Sequence, residues 1–169
     1  MQPYLFLTSI TFIITIISLF IEIDYPFVKD ILEVNIVGIF ILRYLHLLVA
    51  VYLITFLCFF NPNSFSGKIY LILAIVVEFL RHFLGCCILS YYELLMYGTG
   101  LHYPNNYHPS AIVFFREYDH IALSMMGLII FITFHYILFK NEMSFIYKLC
   151  IGLTFGYIFV SHIIEIKNT

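Results

Sequence analysis

Residues 76–93 read VVEFLRHFLGCCILSYYE. The stretch is apolar enough for a bilayer, yet it carries Glu78, Arg81, His82 and Glu93. A charged side chain in hydrocarbon costs about 2.5–3.5 kcal/mol on insertion scales, so these groups need partners or water. At about 100° per residue, Glu78, His82, Gly85, Leu89 and Glu93 fall within about 80° of one another on a continuous helix, with Arg81 beside them. The charges therefore share one face.

The rest of the chain makes lipid the natural solvent for that helix. Of its residues, 63% are hydrophobic and only 11% are charged, and the mean hydropathy is +1.01. Soluble domains have about 45–50% apolar and about 25% charged residues. A soluble fold of 169 residues could not cover so much apolar surface with so few charges. The net charge of -2 comes without a basic run, which excludes a cationic nucleic-acid patch.

Cys58, Cys86, Cys87 and Cys150 lie inside apolar segments without zinc or CxxC spacing, and read as buried free thiols. Tryptophan is absent while Ile, Phe, Tyr and Asn abound, a bias that suggests an AT-rich genome such as an organelle, a parasite or a large virus. MQPYLFLTSITFIITIISLF has no basic start and too long an apolar run for a cleavable signal, so it reads as a retained span.

A spanning helix needs about 20 mostly apolar residues. Five stretches reach that length: Tyr4–Ile23, Ile36–Phe60, Ile69–Tyr97, Asp119–Phe139 and Phe145–Ile166. The expected fold is all-α, a single multi-pass bundle of five spans, with four as the alternative. Between the spans lie IDYPFVKDILEVN, the turn-rich NPNSFSGK, the long loop opening GTGLHYPNNYHPS, and the short KNEMS. AIVFFREY (111–118) is too short to span, and reads either as an interfacial helix or as the start of a long fourth span. Orientation stays open: Lys29, Arg116 and Lys167 on one side balance Lys68, Lys140 and Lys148 on the other.

The second span adds Arg43 and His46, which share a side of their helix. His46 lies about 15 Å from the start of its span, and His82, on a helix running back, about 10 Å from the same surface. Arg43, His46, Glu78, Arg81 and His82 are thus expected to form one buried polar cluster. Such a cluster has a structural reading, as an interhelical connector. It also has functional ones, because intramembrane ionisable groups mark pathways and sites.

One functional reading is bis-histidine haem b ligation by His46 and His82, with arginines for the propionates. Another is a proton or ion pathway through Glu78, His46 and His82, although the spans lack the internal prolines that often mark helix breaks in carriers. A third is a membrane-embedded enzyme using Glu93 with His102, His108 and His120, unsupported by any nucleophile elbow, HExxH or phosphate loop. No metal site is expected; if one exists, Glu117 and Asp119 are the carboxylates beside those loop histidines.

Ser124, Gly127 and Phe131 share a stripe with His120 and His135 on the fourth span, a sign of close helix packing. Gly152 and Gly156 form a GxxxG pattern that suits contact with another span or with another membrane subunit. His162 and Glu165 are placed to reach interfacial water.

GCCILSYYE resembles a motif in a family of small bacterial multi-pass membrane proteins of unknown function, in which a helix with an upstream glutamate ends in Cys-Pro-Leu-Thr-x-x-Glu. The matching positions are Cys87, Leu89, Ser90 and Glu93, with Glu78 upstream and His46 corresponding to a family histidine. Ile88 replaces the proline, Ser90 replaces the threonine, and a second family histidine has no counterpart. The resemblance covers residues 43–98, implies a compact helical bundle, and singles out Cys87, Ser90 and Glu93.

The expected role is a non-catalytic membrane component or accessory subunit of a larger assembly. Its partners are the lipid bilayer and possible further subunits, in an organelle inner membrane or a virus or host membrane. The haem-binding redox subunit is the runner-up.

Overall fold

A computed structural model of the chain describes residues 2–22, 26–84, 87–96 and 119–168, with the side chains of most of these. The described residues form α1 (Pro3–Glu22), α2 (Pro26–Phe59), α3 (Phe65–Leu84), α4 (Ile88–Met96), α5 (Asp119–Lys140) and α6 (Phe145–Asn168), with no strand among them. The described residues are thus all-helical. Two helical stretches, Pro3–Ile21 and Asn35–Phe59, are long and apolar enough to cross a membrane, and Ser124–Lys140 and Phe145–Ser161 are shorter apolar helices.

Two elements differ from the sequence reading. α2 begins at Pro26, within the stretch expected as a connection, and carries an internal kink at Asn35, whose φ of -124° and ψ of 16° are non-helical. Proline fits the first position of a helix, where its missing N–H has no intrahelical acceptor to lose. The third stretch, expected as one helix over 69–97, instead divides into α3 and α4, with Cys87 outside both. Gly85 follows directly on α3 in sequence, the position where glycine most often ends a helix.

The chain forms two compact units, residues 1–52 with 88–122 and residues 53–87 with 123–169. In the first unit, α1 buries Leu7, Thr11, Thr15 and Ser18 on one stripe. Two of these hydroxyls bond their own helix: Thr15 donates to the Thr11 carbonyl at 2.8 Å, and Ser18 to that of Thr15 at 2.8 Å. Phe12 meets Phe40 and Tyr44 of α2 edge-on, at 5.6 and 6.3 Å. Phe20 of α1 and Val37 of α2 point outward, 68% and 70% exposed.

In the second unit, Asn61–Ser64 turns the chain from α2 into α3. Asn61 Oδ1 accepts from the Asn63 amide at 2.9 Å, and Ser64 Oγ donates to the Asn61 carbonyl at 2.6 Å. The buried Tyr70 hydroxyl donates to the Leu53 carbonyl at 3.1 Å, tying α3 to the end of α2. α3 packs against α6. The α5–α6 hairpin is an aromatic stack, with Phe134 over Phe155 at 3.8 Å and Phe131 over Phe159 at 4.9 Å. Gly152 lets α6 approach His135 and Leu138 of α5, and Gly127 sits under the Phe159 ring.

Candidate functional site

Arg43, His46, Ser90 and Glu93 of the first unit come together where α2 meets α4. Along α2, Ile39, Arg43 and Leu47 form a buried stripe one turn apart. Along α4, Ser90 and Glu93 are buried on one face. The two helices run antiparallel: stepping from Gly38 to Arg43 to His46 along α2, the neighbour on α4 steps back from Met96 to Glu93 to Ser90.

Arg43 and Glu93 form an ion pair in which both side chains are 0% exposed. Arg43 Nε and a terminal guanidinium nitrogen both donate to Glu93 Oε1, at 2.8 and 2.5 Å. One turn along α2, His46 Nδ1 lies 3.3 Å from Ser90 Oγ. A buried ion pair of this kind is held by geometry: removing one partner leaves an uncompensated charge and costs about 3–5 kcal/mol, whereas exchanging both for apolar groups is often neutral.

The sequence-derived site residues divide between the units. Arg43 and His46 lie in the first, and their partners there are Glu93 and Ser90, two of the three residues singled out by the resemblance. The third, Cys87, belongs to the second unit and is a half-buried free thiol. Glu78 and His82 stand on α3 in the second unit, Glu78 buried and His82 half-buried. His82 Nδ1 has no hydrogen-bond partner among the described residues, and the ring meets Phe83 edge-on at 5.5 Å. The side chains of Arg81, Asp119, His120, His162 and Glu165, and all of Gly85, Cys86, His102, His108, Glu117 and the 111–118 stretch, lie outside the described residues.

What the sequence reading did not assign was the pairing of Arg43 with Glu93. Helical phasing put Glu93 on the same face as Glu78, but it assumed one uninterrupted helix. Once α4 is a separate element, its phase is independent, and Glu93 pairs with α2. The available signal was Gly85 with the small Cys86–Cys87 pair, directly after Leu84.

The GxxxG face of α6 meets α5 within the chain, with the position-152 cradle on His135 and Leu138 and Gly156 facing Phe131. His135 Nδ1 donates to the Phe131 carbonyl at 2.9 Å, so this imidazole satisfies its own helix. Among the described residues, no group of three or more His, Cys, Asp or Glu side chains is placed to hold a metal ion. Comparisons with protein-family models, curated proteins and solved structures find no match. The site thus stands on its geometry: a buried salt bridge and a Ser–His contact joining a long apolar helix to a short one.

Proposed function

We propose that this chain is a multi-pass integral membrane protein that serves as a non-catalytic component of a larger membrane assembly, with the α2–α4 polar contacts as an internal lock. The observation that carries this reading is buried polar and charged groups beneath a broadly apolar surface. Arg43, Glu93, Glu78, Thr11, Thr15 and Ser18 are buried, while Phe20, Val37, Ile72 and Phe83 face outward. In water, apolar patches of that extent drive association. In lipid they are the ordinary surface, and the buried ionic groups are what hold helices together.

The five-span arrangement takes α1, the Asn35–Phe59 part of α2, α3, α5 and α6 as the spans. α3 is long enough at about 30 Å for its 20 residues. α4, at about 13 Å for 9 residues, is too short to cross alone. The AT-rich type of composition favours an organelle inner membrane or a virus or host membrane as the location. The family resemblance in residues 43–98 agrees with a small helical bundle.

The test is carbonate extraction of membranes expressing the tagged chain, followed by blue-native electrophoresis. The chain is expected to stay in the pellet and to migrate with a complex well above its own mass. Release by carbonate overturns the membrane reading, and migration as a lone 19.9 kDa protein overturns the assembly reading.

One observation favours a second reading, a proton or ion pathway. Broken helices are the hallmark of carriers, and the helical path between the buried Glu78 and Glu93 is interrupted at Cys87. Proteoliposomes with a pH-sensitive dye decide it: flux abolished by Glu78→Gln supports the pathway, and absence of flux in the unaltered protein removes it.

A further inference from the structure

At one end of the second unit, α3 begins, α5 ends and α6 begins, and a cavity of about 720 Å³ opens there. Its polar rim carries Lys68 from the first turn of α3 and Lys140 from the end of α5, with Asn63, Asn141 and Glu142 between them. Its floor is aliphatic, built from Leu71, Ile72 and Ile75 of α3, Leu138 of α5 and Ile151 of α6. Ile75 and Ile151 also line a second, almost wholly apolar cleft of about 280 Å³ that continues along α6 past Thr154 and Phe155 to Ile158. The two together make a groove with a cationic mouth and an aliphatic trough.

The lysines are available. Neither Lys68 nor Glu142 forms an ion pair among the described residues, and the Lys140 ammonium rests 5.7 Å from the centroid of the Tyr136 ring. Lys148, at the start of α6, donates instead to the Phe139 carbonyl at 2.9 Å, which caps α5 and adds a third positive charge at this end. Two lysines against one glutamate leave the rim net positive.

We propose that this groove is a binding site for an anionic glycerophospholipid of the surrounding leaflet, its phosphate between Lys68 and Lys140 and one acyl chain laid along the α3–α6 crease. The proposal rests on the membrane reading above. A basic pocket between membrane helices near the headgroup level recognises anionic lipid by this combination of charge and aliphatic contact. A soluble anion would use the lysines and leave the trough empty. A zwitterionic lipid would use the trough but gain less from the lysines, because its own ammonium offsets its phosphate. The groove is too small for a whole phospholipid, so the second chain stays in the bilayer.

The test uses the full chain purified in mild detergent, after carbonate extraction has shown that it is membrane-integral. Extraction into the soluble fraction would defeat the membrane reading before the lipid assay begins. Native mass spectrometry then measures retention of phosphatidylglycerol against phosphatidylcholine. The expected result is preferential retention of phosphatidylglycerol, lowered about thirtyfold in Lys68→Gln/Lys140→Gln and unchanged in Lys167→Gln, which removes the same charge at the far end of α6. Ile75→Trp, which fills the junction of the two cavities, is expected to reduce retention of phosphatidylglycerol with both lysines present. Equal retention of the two lipids, or of phosphatidylglycerol by the double variant, overturns the proposal. So does full displacement by inorganic phosphate at equal concentration, which would assign the lysines to a free anion.

Discussion

Arg43 and Glu93 are the two side chains whose removal matters most, because both are fully buried and each takes from the other an opposite charge in direct contact. Glu93→Leu alone and Arg43→Met alone are each expected to destabilise the detergent-solubilised protein by about 3–5 kcal/mol. The combined variant is expected to recover most of that loss, since two apolar groups of similar volume need no partner. Thermal unfolding followed by circular dichroism measures all three, and a double variant as weak as the singles would mean that the pair does more than balance itself. The Ser90–His46 contact is a lesser tie. Ser90→Ala is expected to lower stability by about 0.5–1.5 kcal/mol, the net value of one hydrogen bond.

At the scale of elements, two glycines have opposite tolerances. A Cβ on Gly67 would stand 2.0 Å from the Pro62 carbonyl oxygen, which is backbone and cannot swing aside. Gly67→Ala is therefore expected to distort the Asn61–Ser64 turn and cost about 1–3 kcal/mol. At Gly152 the nearest atoms, in His135 and Leu138, stand 3.5 Å from such a Cβ, an ordinary contact. Gly152→Ala is expected to be near neutral, and Gly152→Leu to separate α5 from α6. Phe155→Ala removes the ring stacked 3.8 Å from Phe134 and is expected to cost about 3–5 kcal/mol. Melting temperatures of the four variants, measured in one detergent, give the ranking.

For the whole molecule, the proposed odd number of spans places the two termini on opposite sides of the membrane. Protease protection of N- and C-terminal tags in sealed vesicles is expected to digest one and spare the other. Both protected or both cleaved would restore the four-span alternative. The haem alternative has its own signature. A structural role for His46, engaged with Ser90, predicts a dithionite-reduced spectrum without a Soret or α band at full haem supply. Bands that vanish in His46→Ala or His82→Ala would instead make the redox reading primary.

The helical architecture was legible in the chain because it depends on local chemistry. Long apolar runs at 36–60, 119–139 and 145–166 leave the backbone little alternative to helix, and the observed α5 and α6 agree closely with the last two of these. NPNSFSGK and KNEMS announced their turns through residues whose side chains bond their own backbone, as Asn61, Ser64 and Asn141 do. The pairing of Arg43 with Glu93 was not legible in this way. Helical phase carries over only along an unbroken helix, and the separation of α3 from α4 resets it. That Glu93 meets Arg43 therefore depended on how α4 docks on α2, a tertiary fact set by the approach at Gly38 and Met96 and by the antiparallel register. By itself the sequence determined that this protein is helical and apolar. Only the tertiary structure decided which polar groups satisfy one another, because desolvation obliges a buried charge to find a partner without naming which one.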